Sequence, residues 1–120
     1  MPFKAILQDL VCSIDGAVGA ILTDWEGEAV EQYSLTGDEY DLKILGAHQN
    51  IILSRIRDIR HKMPSQSVRD AIITTDRQHL FLGAVGDEYA LVLLLERSAL
   101  VGRARVQALG SVRLLEKEIY

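Results

Sequence analysis

Apolar residues recur along this chain with two periods, near 3.6 and near 2, and the switching between them marks out its elements. Phe3, Ile6, Leu7, Leu10, Val11 and Ile14 fall at helical spacing. They follow Pro2, which suits a first helical turn because its missing N–H would find no partner there anyway. Asp15-Gly16 ends this helix. Ala17 to Thr23 is apolar on both alternating sets, the pattern of a strand covered on both faces. Asp24-Trp25-Glu26-Gly27 predicts a turn, with Gly27 supplying the positive φ of a tight hairpin. Ala29 to Ser34 returns as a more polar strand carrying Glu31 and Gln32, which favours a sheet edge. Trp25 is expected to fold over its hairpin, with a binding hot spot as the rival reading.

The long stretch from Asp38 to Lys62 predicts one helix, opened by Thr36 as N-cap and Glu39 three residues on. Its broad apolar face carries Leu42, Leu45, Ile52, Leu53, Ile56, Ile59 and Met63. A polar stripe of Lys43, Asn50, Ser54, Arg57 and His61 separates that face from a narrower apolar patch, Ile44, Ala47 and Ile51. One face can cover a sheet; in a chain this short the other has nothing left to cover. Asp38, Glu39 and Asp41 lead the helix and Arg55, Arg57, Arg60 and Lys62 close it, a polarity that opposes the helix dipole. Pro64 stops it.

Val68 to Thr75 is a third strand, well supplied with polar residues, and Asp76 to His79 a turn. Leu80 to Val85 is a fourth strand, in which Gly83 signals a bulge or a close backbone approach. Tyr89 to Leu95 is a fifth, apolar on both faces and therefore central. Ser98 is the expected N-cap of a final helix whose inner face is Val101, Ala104, Ala108, Val112, Leu115 and Ile119. The order is helix, two strands, helix, three strands, helix. Two strands need cover on both faces and two are polar enough for edges, which predicts a single α+β domain over residues 1–120. Its antiparallel sheet has the first and fifth strands in the middle and helices on both sides.

Totals narrow the function classes. At 120 residues the chain is long enough to bury a core without disulfides or metal. Its net charge of −4 leaves no basic footprint for nucleic acid. Cys12 is the only cysteine, so no intramolecular disulfide and no cysteine-based zinc site can form, which fits a reducing, cytoplasmic setting. Lys4, Gln8 and Asp9 break up the N-terminus, against a signal peptide, and no apolar run reaches membrane-spanning length, so membrane insertion is not expected.

No catalytic constellation emerges. Gly16-Ala17-Val18-Gly19 lacks the ending of a phosphate loop and leads into a strand. His48, His61 and His79 fall on different elements without ligand spacing, so neither metal nor cofactor is expected. No serine sits in a nucleophile elbow. An arginine donated to a partner's active site needs no local motif, and Arg55, Arg57, Arg97, Arg103 and Arg105 all remain candidates.

The run Ile14-Asp15-Gly16-Ala17-Val18-Gly19-Ala20-Ile21-Leu22-Thr23-Asp24-Trp25-Glu26-Gly27, behind an N-terminal helix, resembles the opening of Roadblock / dynein light chain domains. Tyr89 to Leu95 followed by Leu100-Val101-Gly102-Arg103-Ala104-Arg105 is similar to that family's closing strand and helix. The resemblance implies a profilin-like fold with sheet order 2-1-5-4-3. It also implies a homodimer or a heterodimer with a paralogue, in which third strands pair edge to edge and long helices pack side by side. The implied interface comprises Ile44, Ala47, His48, Ile51 and Arg55 of the long helix and Ala71, Ile73 and Thr75 of the third strand. Family members regulate or scaffold Ras-like small GTPases or attach to dynein, and compact bacterial-type members act with gliding-motility GTPases. No catalytic residue carries over. The polar stripe Lys43, Asn50, Ser54, Arg57 and His61 would recur side by side in the dimer and is the expected GTPase-binding surface. Two rival readings are a small-ligand sensor, which needs an interior cavity, and a motor-associated light chain.

Overall fold

The computed structural model describes residues 2–26, 28–35, 55, 58–59, 62–63 and 69–120. Helix α1 spans Pro2–Ser13 and is followed by β1 (Ala17–Asp24) and β2 (Ala29–Ser34). After it come β3 (Asp70–Thr74), β4 (Gln78–Val85), β5 (Tyr89–Glu96) and α2 (Val101–Ile119). The strands form one sheet in the order β2-β1-β5-β4-β3, and every neighbouring pair is antiparallel. Both doubly apolar strands are central and both polar strands are edges, as the alternation predicts. Between β2 and β3, Arg55, Asp58, Ile59 and Lys62 are helical, and the Met63 N–H donates to the Ile59 carbonyl at 3.0 Å. The expected capping box at Thr36 and Glu39, the Gly27 turn residue and the stop at Pro64 lie outside the described residues.

The sheet has a buried layer on each side. On one face, Ala20 and Leu22 of β1, Phe81 and Val85 of β4 and Leu91, Leu93 and Leu95 of β5 pack under α1 and α2. Leu7, Leu10 and Val11 come down from α1, and Ala104, Ala108, Val112 and Leu115 from α2. The alanines and the buried Ser111 let α2 lie close to the strands. On the other face Leu80, Leu82, Ala90, Val92 and Leu94 form a second buried cluster, against which Val18, Trp25, Ala71 and Ile73 pack. Ile59 and Met63, expected on the sheet-covering face of the long helix, instead expose 47% and 43% of their surface.

Local chemistry fixes the ends of the elements. Asp24 closes the β1–β2 turn by accepting from the Glu26 and Glu28 N–H groups through Oδ1. Trp25 is a structural residue: its indole N–H donates to the Asp87 carbonyl at 2.9 Å while the ring packs on the second cluster. The β4 strand starts at Gln78, two residues before the expected Leu80. Thr75 is the reason, because its Oγ1 accepts from the Arg77 and Gln78 N–H groups and its own N–H reaches the Gln78 carbonyl. That tight turn leaves only Asp76 and Arg77 at the tip. The final helix is capped not by Ser98 but at Leu100, in extended conformation and without any side-chain cap.

Gly83 answers to the close-approach reading rather than to a bulge. Its register with Asp70 and Leu91 is regular. A Cβ there would stand 2.8 Å from the Phe81 ring and 3.3 Å from Val112 Cγ2, so the missing side chain makes room for that ring under α2.

Candidate interaction surface

The two edges of the sheet are built differently. In β2, Glu31 lies opposite Leu22 and Ala29 opposite Thr23, so Val30 is an extra residue in a bulge. A bulge beside the charged Glu31 spoils this edge as a template for another strand. Strand β3 carries no bulge: Asp70 to Thr74 run in unbroken register with Gly83 to His79.

Which backbone groups of β3 remain open follows from its ladder. The Thr75 N–H donates to the Gln78 carbonyl and the Ala84 N–H donates to the Arg69 carbonyl. Antiparallel ladders alternate, so Ala71 and Ile73 likewise turn their backbone groups to β4, while Asp70, Ile72 and Thr74 turn theirs to the outer edge. No described strand pairs with that edge. Ile72 is 39% exposed, an apolar residue in the middle of it.

The side chains on either side of Ile72 are held within the fold. Arg105 of α2 pairs with Asp70 through Nε and Oδ2. Thr74 Oγ1 lies 2.7 Å from His79 Nδ1, and His79 Nε2 lies 3.1 Å from the Arg97 carbonyl. With Nε2–H donating to that carbonyl, Nδ1 accepts from the Thr74 hydroxyl, and this buried imidazole is satisfied at both nitrogens. Ala71 and Ile73 point to the opposite face and are half buried on the second cluster.

Of the interface residues expected from the sequence, Ala71 and Ile73 therefore lie on the edge strand with inward side chains, and exposed Thr75 organises the hairpin turn. Arg55 is helical and exposed. Ile44, Ala47, His48 and Ile51, and the expected partner-binding residues Lys43, Asn50, Ser54, Arg57 and His61, lie outside the described residues. Among the arginines considered for donation to a partner, Arg105 is engaged by Asp70 and Arg97 stands against His79 at 3.4 Å. Arg103 and Arg55 are exposed.

Among the described residues no group of three or more His, Cys, Asp or Glu side chains is placed to hold a metal ion. Nor is any described helix long and apolar enough to cross a membrane.

No family model matches the chain, and no curated protein matches it by sequence. Solved structures do match it in fold. A Roadblock/LC7 domain from Streptomyces avermitilis superposes with a TM-score of 0.79 at 16% identity, covering 97% of this chain and 96% of that one. The gliding protein MglB from Thermus thermophilus gives 0.79 at 14% identity, over 96% of this chain and 86% of that one. Profilin IA from Acanthamoeba castellanii gives 0.61 at 10% identity, over 98% and 99%. At these identities the likeness establishes the architecture.

Proposed function

We propose that this chain, which has the profilin-like Roadblock fold, works as a dimer joined along β3 and that the dimer binds a Ras-like small GTPase. The observation that carries the reading is the outer edge of β3, free of bulges and unpaired among the described strands, with Asp70, Ile72 and Thr74 presenting their backbone groups around a partly exposed isoleucine. An edge of that kind is a template for strand addition, and a two-fold axis across it satisfies both copies with one surface. The bulged β2 edge offers no equivalent.

In this reading the protein does no chemistry of its own. It positions or regulates the GTPase, and the polar stripe Lys43, Asn50, Ser54, Arg57 and His61 is the surface expected to meet it. Gliding protein MglB shares the architecture, which fits the motility-GTPase role that the family resemblance of the sequence implies. The sensor alternative draws no support from the described core, where Phe81 fills the space above Gly83 and the central leucines are fully buried.

The test is capture of small GTPases loaded with GTP or with GDP by the immobilised chain. Retention that depends on the nucleotide state supports the proposal. Failure of Ras-like GTPases to bind in either state removes the GTPase half of it and leaves the dimer to be judged separately.

A further inference from the structure

One face of β3 carries Asp70, Ile72 and Thr74, which lie opposite Gly83, Phe81 and His79 of β4. Phe81 belongs to the core under α1 and α2, so this is the helix-covered side of the sheet. The two polar members are each tied to a group of fixed hydrogen-bond polarity. Arg105 reaches from α2 and donates through Nε to Asp70 Oδ2, while its side chain stays 47% exposed. Among the described residues Asp70 is the only side chain that engages this guanidinium. Both Nη groups therefore keep their N–H donors for water or for a partner.

Thr74, at the other end of the strand, has the opposite need. His79 Nε2–H donates to the Arg97 carbonyl, so Nδ1 takes the proton of the Thr74 hydroxyl. The oxygen of this exposed residue is left with lone pairs and no proton to give, so toward the outer edge it can only accept. Within one chain the donor and the acceptor do not meet. Asp70, under the guanidinium, and Thr74 stand about 13 Å apart along an extended strand.

A two-fold axis at Ile72 brings them together. It sets Asp70 of each copy directly opposite the partner's Thr74, on the same face, with Cβ atoms about 5 Å apart. The guanidinium held on Asp70 then stands beside that hydroxyl. We propose that Arg105 donates across the axis to the partner's Thr74, and that this contact, made twice, selects a second copy of this chain as the occupant of the β3 edge. It presupposes the β3 dimer proposed above and adds the side chains that choose the partner. Each group has one role in the chain of hydrogen bonds: guanidinium to hydroxyl oxygen, hydroxyl to imidazole Nδ1, Nε2–H to carbonyl. Ile72 meets its own copy between the two contacts and covers its exposed side. A foreign strand without an acceptor opposite Asp70 leaves the guanidinium unpaired in the joint, and one with a lysine there sets cation against cation.

The experiment is a double-mutant cycle on the dimer dissociation constant, read by sedimentation over a concentration series. Thr74→Val removes the acceptor at nearly constant shape, and Arg105→Met keeps the apolar stem and removes every donor. Each should raise the dissociation constant about tenfold or more, because two symmetric contacts are lost per dimer. The double variant should dimerise about as well as the weaker single one, since the second change finds nothing left to remove. Thr74→Val also deprives His79 Nδ1 of its donor, so Thr74→Ser is the companion: it keeps the hydroxyl and should stay within about threefold of the parent. Unfolding of the monomer, below the dissociation constant, should show the two changes acting independently, because the residues do not meet within one chain. Effects on dissociation that multiply, a single change that leaves dissociation unaltered, or equal coupling in monomer unfolding would overturn the Arg105 contact. Ile72→Pro separates this from the dimer itself. A dimer that Ile72→Pro splits but whose cycle shows no coupling keeps the β3 joint and loses the contact. A chain that is monomeric throughout, or a dimer indifferent to Ile72→Pro, overturns both.

Discussion

Replacing Ile72 by proline separates the dimer from the fold. The Ile72 N–H points to the outer edge of β3, so proline removes no bond of the β3–β4 ladder, and edge strands tolerate it. A two-fold axis at Ile72 gives about six cross-strand hydrogen bonds, from Ile72 to its copy and between Asp70 and Thr74 on both sides. The substitution deletes about two of them and strands the carbonyls that accepted them. At about 1 kcal/mol for each lost bond and about 1 kcal/mol or more for each orphaned carbonyl, the dimer weakens by about 3–4 kcal/mol. That is a rise of at least about a hundredfold in its dissociation constant. Sedimentation velocity over a concentration series reads the shift, and circular dichroism checks that the fold is kept. Ile73→Pro is the control: its N–H faces β4, so it should lower Tm instead of merely splitting the dimer. An Ile72→Pro protein as dimeric as the parent, with its fold intact, would refute pairing through this edge.

Other substitutions probe the core and the surface. Gly83→Ala puts a Cβ against the Phe81 ring and should cost about 1–3 kcal/mol, read as a lower Tm without change in dimer assembly. From the helical pattern of the sequence, Ile51→Asp should move the protein from dimer to monomer in light scattering at low micromolar concentration; a fully dimeric mutant would take that patch out of the interface. A hydrogen bond with the Cys12 thiol, then desolvation, raises the Tyr33 phenol above its ordinary pKa. Folding therefore favours the protonated phenol, and stability should decline as pH rises from the ordinary tyrosine value through the raised one. Cys12→Ala should bring phenolate absorbance in at lower pH.

The architecture was legible because its strongest signals are compositional. Strands such as Tyr89 to Leu95 cannot sit anywhere but the middle of a covered sheet, and Glu31 marks β2 as an edge. The full strand order came from the resemblance and not from periodicity, since pairing between distant segments leaves no trace in local spacing. Boundaries failed where local geometry overruled propensity. Thr75 folds the hairpin back through its hydroxyl and brings Gln78 and His79 into β4, and Leu100 rather than Ser98 stands at the start of α2. The β3 edge was expected, but its outward set was not, because alternation in a ladder is anchored by one observed hydrogen bond.

The central claim, that two copies meet along β3, is tested most directly by residue-resolved amide exchange at concentrations above and below the dimer dissociation constant. The account predicts that Asp70, Ile72 and Thr74 exchange slowly in the dimer and rapidly in the monomer, while Ala71 and Ile73, bonded to β4, remain protected in both. Identical exchange at Asp70, Ile72 and Thr74 in the two states would contradict it.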